Sequence, residues 1–112
     1  MPELYLLNND MLLRLTGTYT IDQTTGLPVY LTGAATVQVT VLNAATGAEI
    51  AGETWPLALT YLAGSRGDFL GVLKDTLTVT VGQALIGRVT ADNGANQHME
   101  RDIEIQVVRA RL

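Results

Sequence analysis

Residues 26 to 47 read Gly26-Leu-Pro-Val-Tyr-Leu-Thr-Gly-Ala-Ala-Thr-Val-Gln-Val-Thr-Val-Leu-Asn-Ala-Ala-Thr-Gly47, and their middle alternates strictly. In an extended chain Val37, Val39 and Val41 fall on one face, and Thr36, Gln38 and Thr40 fall on the other. β-branched side chains suit a pleated, half-buried surface and fit the helix period poorly. Gly33 bounds the run on one side, and Asn43 to Gly47 reads as a tight turn into a returning strand. The centre of the chain is thus read as a β-strand with one face in a core.

The same pattern extends outward. Before this stretch, Leu4 to Leu7 is a short apolar run stopped by Asn8-Asn9-Asp10, and Met11, Leu13 and Leu15 recur at period two. Tyr19 and Ile21 continue until Gln23 to Pro28 turns the chain, with Pro28 placed at a strand start or an edge. After it, Trp55, Leu57, Leu59 and Tyr61 share a face, which predicts one strand with Trp55 as the largest core filler. Leu77, Val79 and Val81 alternate with Thr76, Thr78 and Thr80 and predict another. Leu85, Gly87, Val89 and Ala91 predict a third, and Ile103, Ile105 and Val107 a last one. Beyond Val107 the phase slips to Val108, Ala110 and Leu112, which a bulge or a departing tail would produce. Turn signals every 8–12 residues and no convincing helix predict an all-β fold, either an antiparallel β-sandwich or a small barrel, with an antiparallel β-sandwich of about 7–9 strands preferred.

A chain of 112 residues suffices for a single domain with one core. It has no cysteine, which removes disulfides and thiolate metal sites. Its start, Met1-Pro-Glu-Leu-Tyr5, lacks the basic residues of a signal peptide, and no apolar run nears the ~20 residues that span a bilayer. Cytoplasmic synthesis and no membrane partner are the expectation. A net charge of -4 argues against a nucleic-acid partner, since phosphate backbones demand clustered Lys and Arg. Only 16% of residues are charged against 47% hydrophobic, where about 25% charged is usual. A surface so poor in charge points to one covered by neighbouring subunits.

Motifs for chemistry are sparse. The single histidine, His98, follows the Asn96-Gln97 turn and has no cysteine to pair with. Asp92-Asn93-Gly94 with Asn96 offers oxygen ligands but lacks the closing glutamate of a calcium loop, and Asn-Gly is a favoured turn dipeptide. Arg66-Gly67-Asp68 spells a receptor-binding tripeptide, yet Gly67 can supply a positive φ and Asp68 can bond back into its own turn. These residues predict no enzyme, no cofactor and no metal site.

Gly26-Leu27-Pro28-Val29-Tyr30-Leu31-Thr32-Gly33-Ala34, followed by the Val37, Val39, Val41 strand and the Gly47 turn, resembles the N-terminal domain of phage baseplate upper proteins and related immunoglobulin-like phage virion domains. The segments from Tyr61 to Gly71 and from Gly82 to Ala91 are similar to the second half of such domains. The resemblance implies an immunoglobulin-like sandwich and a virion component of tail, baseplate, neck or capsid surface. It would be made in the host cytoplasm and assemble with copies of itself and with other virion proteins. Leu4, Tyr5 and Leu6 at one end, and Arg109, Arg111 and Leu112 at the other, are the candidate assembly contacts. A binding module that recognises a carbohydrate or cell-surface ligand through loops 23–28, 43–47 and 92–98 is the alternative.

Overall fold

The computed structural model describes residues 3–33, 35–94 and 98–109, and among them it contains strands and turns but no helix. The central strand is where the valine alternation places it. Val37, Val39 and Val41 of β5 (Thr36–Asn43) are almost wholly buried, while Gln38 and Thr40 between them are half-buried. Beside it runs β9 (Ala84–Asp92), antiparallel, with Val37 opposite Ala91 and Val39 opposite Val89. Next comes β10 (His98–Val108), also antiparallel to β9. β1 (Glu3–Leu6) closes that edge parallel to β10, and β6 (Leu57–Ala58) closes the other beside β5. The result is a five-stranded sheet in the order β1-β10-β9-β5-β6.

A second sheet in the order β2-β8-β7 combines β2 (Met11–Leu15), β8 (Phe69–Leu73) and β7 (Thr60–Tyr61). Met11, Leu13, Leu15, Phe69 and Leu73 are buried and join one apolar cluster with the inward valines of β5. Each fully buried side chain of this kind contributes about 1.5–3 kcal/mol. Two sheets sharing one core is a sandwich-like arrangement, and the expected all-β class is met. A third, two-stranded element pairs β3 (Tyr19–Ile21) with β4 (Pro28–Tyr30) as a hairpin. It lies beside β10. That hairpin brings the described strands to ten, above the expected 7–9.

Three local expectations change. The segment from Trp55 to Tyr61 is not one strand. Leu57 and Ala58 pair with Val39 and Gln38 in the first sheet, and Thr60 and Tyr61 pair with Leu70 and Phe69 in the second. The chain crosses between sheets at Leu59, which is buried between them. Trp55 is half-buried at the edge of the core, its indole N–H donating to the Ile50 carbonyl at 2.7 Å.

Residues 76–81 form no strand although their alternation is clean. Leu77 is buried and Val79 half-buried, but Thr78 N–H bonds to the Ala51 carbonyl and Thr80 N–H to the Gln83 side chain. Loop groups, not a neighbouring strand, satisfy this backbone. Lastly, the β9–β10 register is continuous from His98 opposite Asp92 to Gln106 opposite Ala84, and β1 follows β10 to Leu6 opposite Val108. No bulge interrupts β10 within the described residues. Ala110, Arg111 and Leu112 lie outside them.

Candidate functional site

Chemistry is sparse where the sequence offers titratable groups. His98 and Asp92 face each other across the end of the β9–β10 ladder, Nδ1 to Oδ1 at 3.5 Å, and both are exposed. The same Asp92 oxygen accepts the Gly94 N–H at 3.0 Å, an Asx turn built into the hairpin. Asn96 and Gln97 lie outside the described residues. Among the described residues no three of His, Cys, Asp and Glu stand close enough to share a metal ion.

The Arg66-Gly67-Asp68 tripeptide is stitched into the fold. Asp68 bonds to a different segment from the one expected. Its Oδ1 accepts the Gly17 N–H at 3.0 Å and its Oδ2 accepts from Arg14 at 3.2 Å, joining the loop before β8 to β2. Gly67 has φ +77, and a Cβ there would overlap the Thr18 carbonyl oxygen, so the position takes glycine for two reasons. The Arg66 guanidinium lies 5.3 Å from the centre of the Tyr30 ring. This loop has an internal job for each of its three residues.

Leu4 and Leu6 point out of the five-stranded sheet, at 55% and 39% exposed. Tyr5 between them points the other way. It is fully buried, its hydroxyl donates to the Lys74 carbonyl at 2.7 Å, and burial raises its pKa. Pleating forces the split, because neighbours on a strand face opposite sides. Tyr5 is therefore a core residue, and a surface contact made by its side chain is excluded by its burial. Arg109 is exposed beside Val81 and Val108. Arg111 and Leu112 fall outside the described residues.

Comparisons with protein-family models, characterised proteins and solved structures return no match. On the outer face of the five-stranded sheet, Leu4 and Leu6 sit beside Gln106 and Val108, and Leu42, Ile86 and Glu104 share one cross-strand row. Farther along, Arg88 holds Asp102 by two bonds, Nε to Oδ1 at 3.0 Å and Nη2 to Oδ2 at 3.3 Å, with Glu100 at 3.5 Å.

A second surface lies outside loops 23–28, 43–47 and 92–98: the fold sets Tyr19 and Tyr30 opposite each other on the β3–β4 hairpin. Their rings meet edge to face at 6.0 Å, and Tyr19, Ile21 and Tyr30 are each more than two-fifths exposed. The signal was present in the alternation of Tyr19, Thr20 and Ile21, but its phase is reversed. Thr20 is the buried residue and the large side chains point outward.

Proposed function

We propose that the chain is a structural component of a bacteriophage particle, in tail, baseplate, neck or capsid surface, and that it acts by symmetric protein–protein assembly. The observation that carries this reading is the pair of exposed apolar surfaces, Leu4 and Leu6 on the sheet and Tyr19, Ile21 and Tyr30 on the hairpin, on a chain with few charges. Isolated apolar residues on a surface are ordinary, whereas grouped aliphatic and aromatic ones are what interfaces are built from. Such a part needs no catalytic residue and no cofactor, and its partners are copies of itself and other virion proteins.

An immunoglobulin-like topology belongs to the same proposal. β5, β9 and β10 lie side by side in one sheet, and β2, β8 and β7 in the other, which parallels the C-F-G and B-E-D groupings of immunoglobulin sandwiches. On that reading the β3–β4 hairpin is an insertion ahead of the third strand. The order supports the kinship that the sequence resemblance implies.

The test is mass spectrometry of purified particles from the phage that encodes the chain, with gold-labelled antibody to locate it. The expected result is a fixed copy number per particle at one site. Absence from intact particles overturns the reading. A second reading, recognition of a carbohydrate, draws on the exposed Tyr19 and Tyr30 pair, since paired aromatics also stack on sugar rings. Glycan-array binding that disappears with Tyr30→Ala would favour it.

A further inference from the structure

We propose that Asn93 is a site of self-modification: it loses its side-chain amide by ring closure onto the Gly94 nitrogen, and the Asp92 carboxylate is the base that takes the proton. This goes beyond the assembly reading and is independent of it.

The turn after β9 holds the three parts in order. Gly94 has φ +112, and nothing stands within 4 Å of where its Cβ would lie. A residue without a Cβ leaves room for the Asn93 carboxamide to close on its nitrogen. The hydrogen on that nitrogen is already directed at a base, because Gly94 N–H donates to Asp92 Oδ1 at 3.0 Å. That is within the reach required of a general base, and the carboxamide is held beside its target by the chain itself. His98 Nδ1 stands 3.5 Å from the same oxygen, and both side chains are more than half exposed, so water enters the turn.

Ring closure forms one bond, Gly94 N to Asn93 Cγ, and breaks one, Asn93 Cγ to Nδ2. The Gly94 proton passes to Asp92 Oδ1 and from there to the leaving nitrogen, which departs as ammonia and leaves Asp92 as it began. Water then opens the five-membered imide at one of its two carbonyls. Opening at Cγ gives aspartate at position 93. Opening at the main-chain carbonyl gives an isoaspartyl link, in which the backbone runs through the former side chain. Either product adds a negative charge next to Asp92 on a chain of net charge -4.

The other described asparagines lack this arrangement. After Asn8, the Asn9 N–H donates to the Leu6 carbonyl at 3.0 Å, and the Asn9 carboxamide donates to the Leu7 carbonyl at 3.0 Å. After Asn43, the Ala44 N–H donates to the Ala84 carbonyl at 3.1 Å, while Asn43 Oδ1 accepts the Ala45 N–H at 2.8 Å. A carbonyl is far too weak a base for this step, and each of these asparagines precedes a residue with a Cβ. Among the described asparagines, Asn93 is the one followed by glycine and by an amide given to a carboxylate.

Tryptic mapping of the full chain tests this after incubation, folded, at neutral pH and physiological temperature. Cleavage after Arg88 and Arg101 releases residues 89–101, which carry Asn93 and Asn96, while Asn8, Asn9 and Asn43 fall in other peptides. Tandem mass spectrometry with electron-transfer fragmentation locates the change and separates aspartate from isoaspartate. Both products are expected at Asn93, with the other asparagines intact in the same digest. Asp92→Asn keeps an oxygen to accept the Gly94 N–H but removes the base. It should slow conversion by about tenfold, below the usual yield of a general base because the site is open to water. Thermal unfolding verifies that this variant folds. A second comparison needs no variant: the folded wild type should convert faster than the same chain unfolded in guanidinium chloride, where Asp92 is not held against Gly94. No conversion at Asn93, conversion spread evenly over the asparagines, an Asp92→Asn rate equal to wild type, or a folded rate below the unfolded one would each overturn the proposal.

Discussion

The amide of Gly17 donates to Oδ1 of Asp68 at 3.0 Å, tying the turn after β2 to the turn before β8. That bond is the largest cause of a lowered Asp68 pKa, with Arg14 adding to it and burial opposing it. Carboxylates bonded to backbone amides hold their charge to lower pH. A depressed folded pKa contributes stability that is present above the unfolded value of about 3.9 and is lost as pH falls through the folded one. Urea denaturation across the acid range should therefore show stability falling below about pH 4, and Asp68→Asn should flatten that fall. Asp102, lowered by its bonds to Arg88, adds to the same acid limb. An unchanged acid slope in both Asn variants would contradict this.

Thr20 is 2% exposed and its hydroxyl has no hydrogen-bond partner among the described residues. A buried unsatisfied hydroxyl is a net cost, and valine has nearly the same shape. Thr20→Val should raise stability by about 1 kcal/mol in denaturant titration, with the tyrosine face unaltered. A loss of stability would show that the hydroxyl is satisfied.

Leu12 and Leu13 are adjacent in β2 and differ completely in burial, 61% against 1% exposed. Leu13→Ala should destabilise by about 2–5 kcal/mol, the range for opening a cavity in a packed core. Leu12→Ala should stay within about 0.5 kcal/mol. Equal effects would mean that the register of this strand is wrong by one residue, because a single slip exchanges the two faces.

Gly67→Ala places a methyl group against the Thr18 backbone at a positive φ. The expected loss is about 1–3 kcal/mol or more, from strain and displacement of the Thr18–Gly67 bond together. Arg66→Ala next to it should cost no more than about 1 kcal/mol, since it removes one exposed cation–π contact. Thermal unfolding of the two variants side by side separates the backbone role from the side-chain role.

How much was legible follows from what alternation reports. Period two records which side of a segment is buried, and for residues 36–43 and 84–92 it gave both the strand and the inward face correctly, because each has neighbours on both edges. At residues 77–81 it gave the buried face for Leu77 and Val79 but not for Val81, which is exposed, and it did not give the absence of a ladder. Leu77 packs inward while its neighbours bond to Ala51 and Gln83, and no composition rule distinguishes a loop partner from a strand partner. The sheet switch at Leu59 was invisible for a related reason, since Trp55 to Tyr61 keeps its period across the crossing. Tyr5 was misread for want of a phase reference: a run of Leu4, Tyr5 and Leu6 is apolar on both faces, and only the partner strand settles which side enters the core. Tyr19 and Tyr30 needed the hairpin pairing itself, a contact made across the intervening turn.

On the proposed assembly, other subunits cover the exposed Leu4, Leu6, Tyr19 and Tyr30. Sedimentation equilibrium of the wild-type chain from micromolar to millimolar concentration tests that most directly. The weight-average mass should climb steadily above the monomer. A mass fixed at the monomer value over the whole range would contradict it.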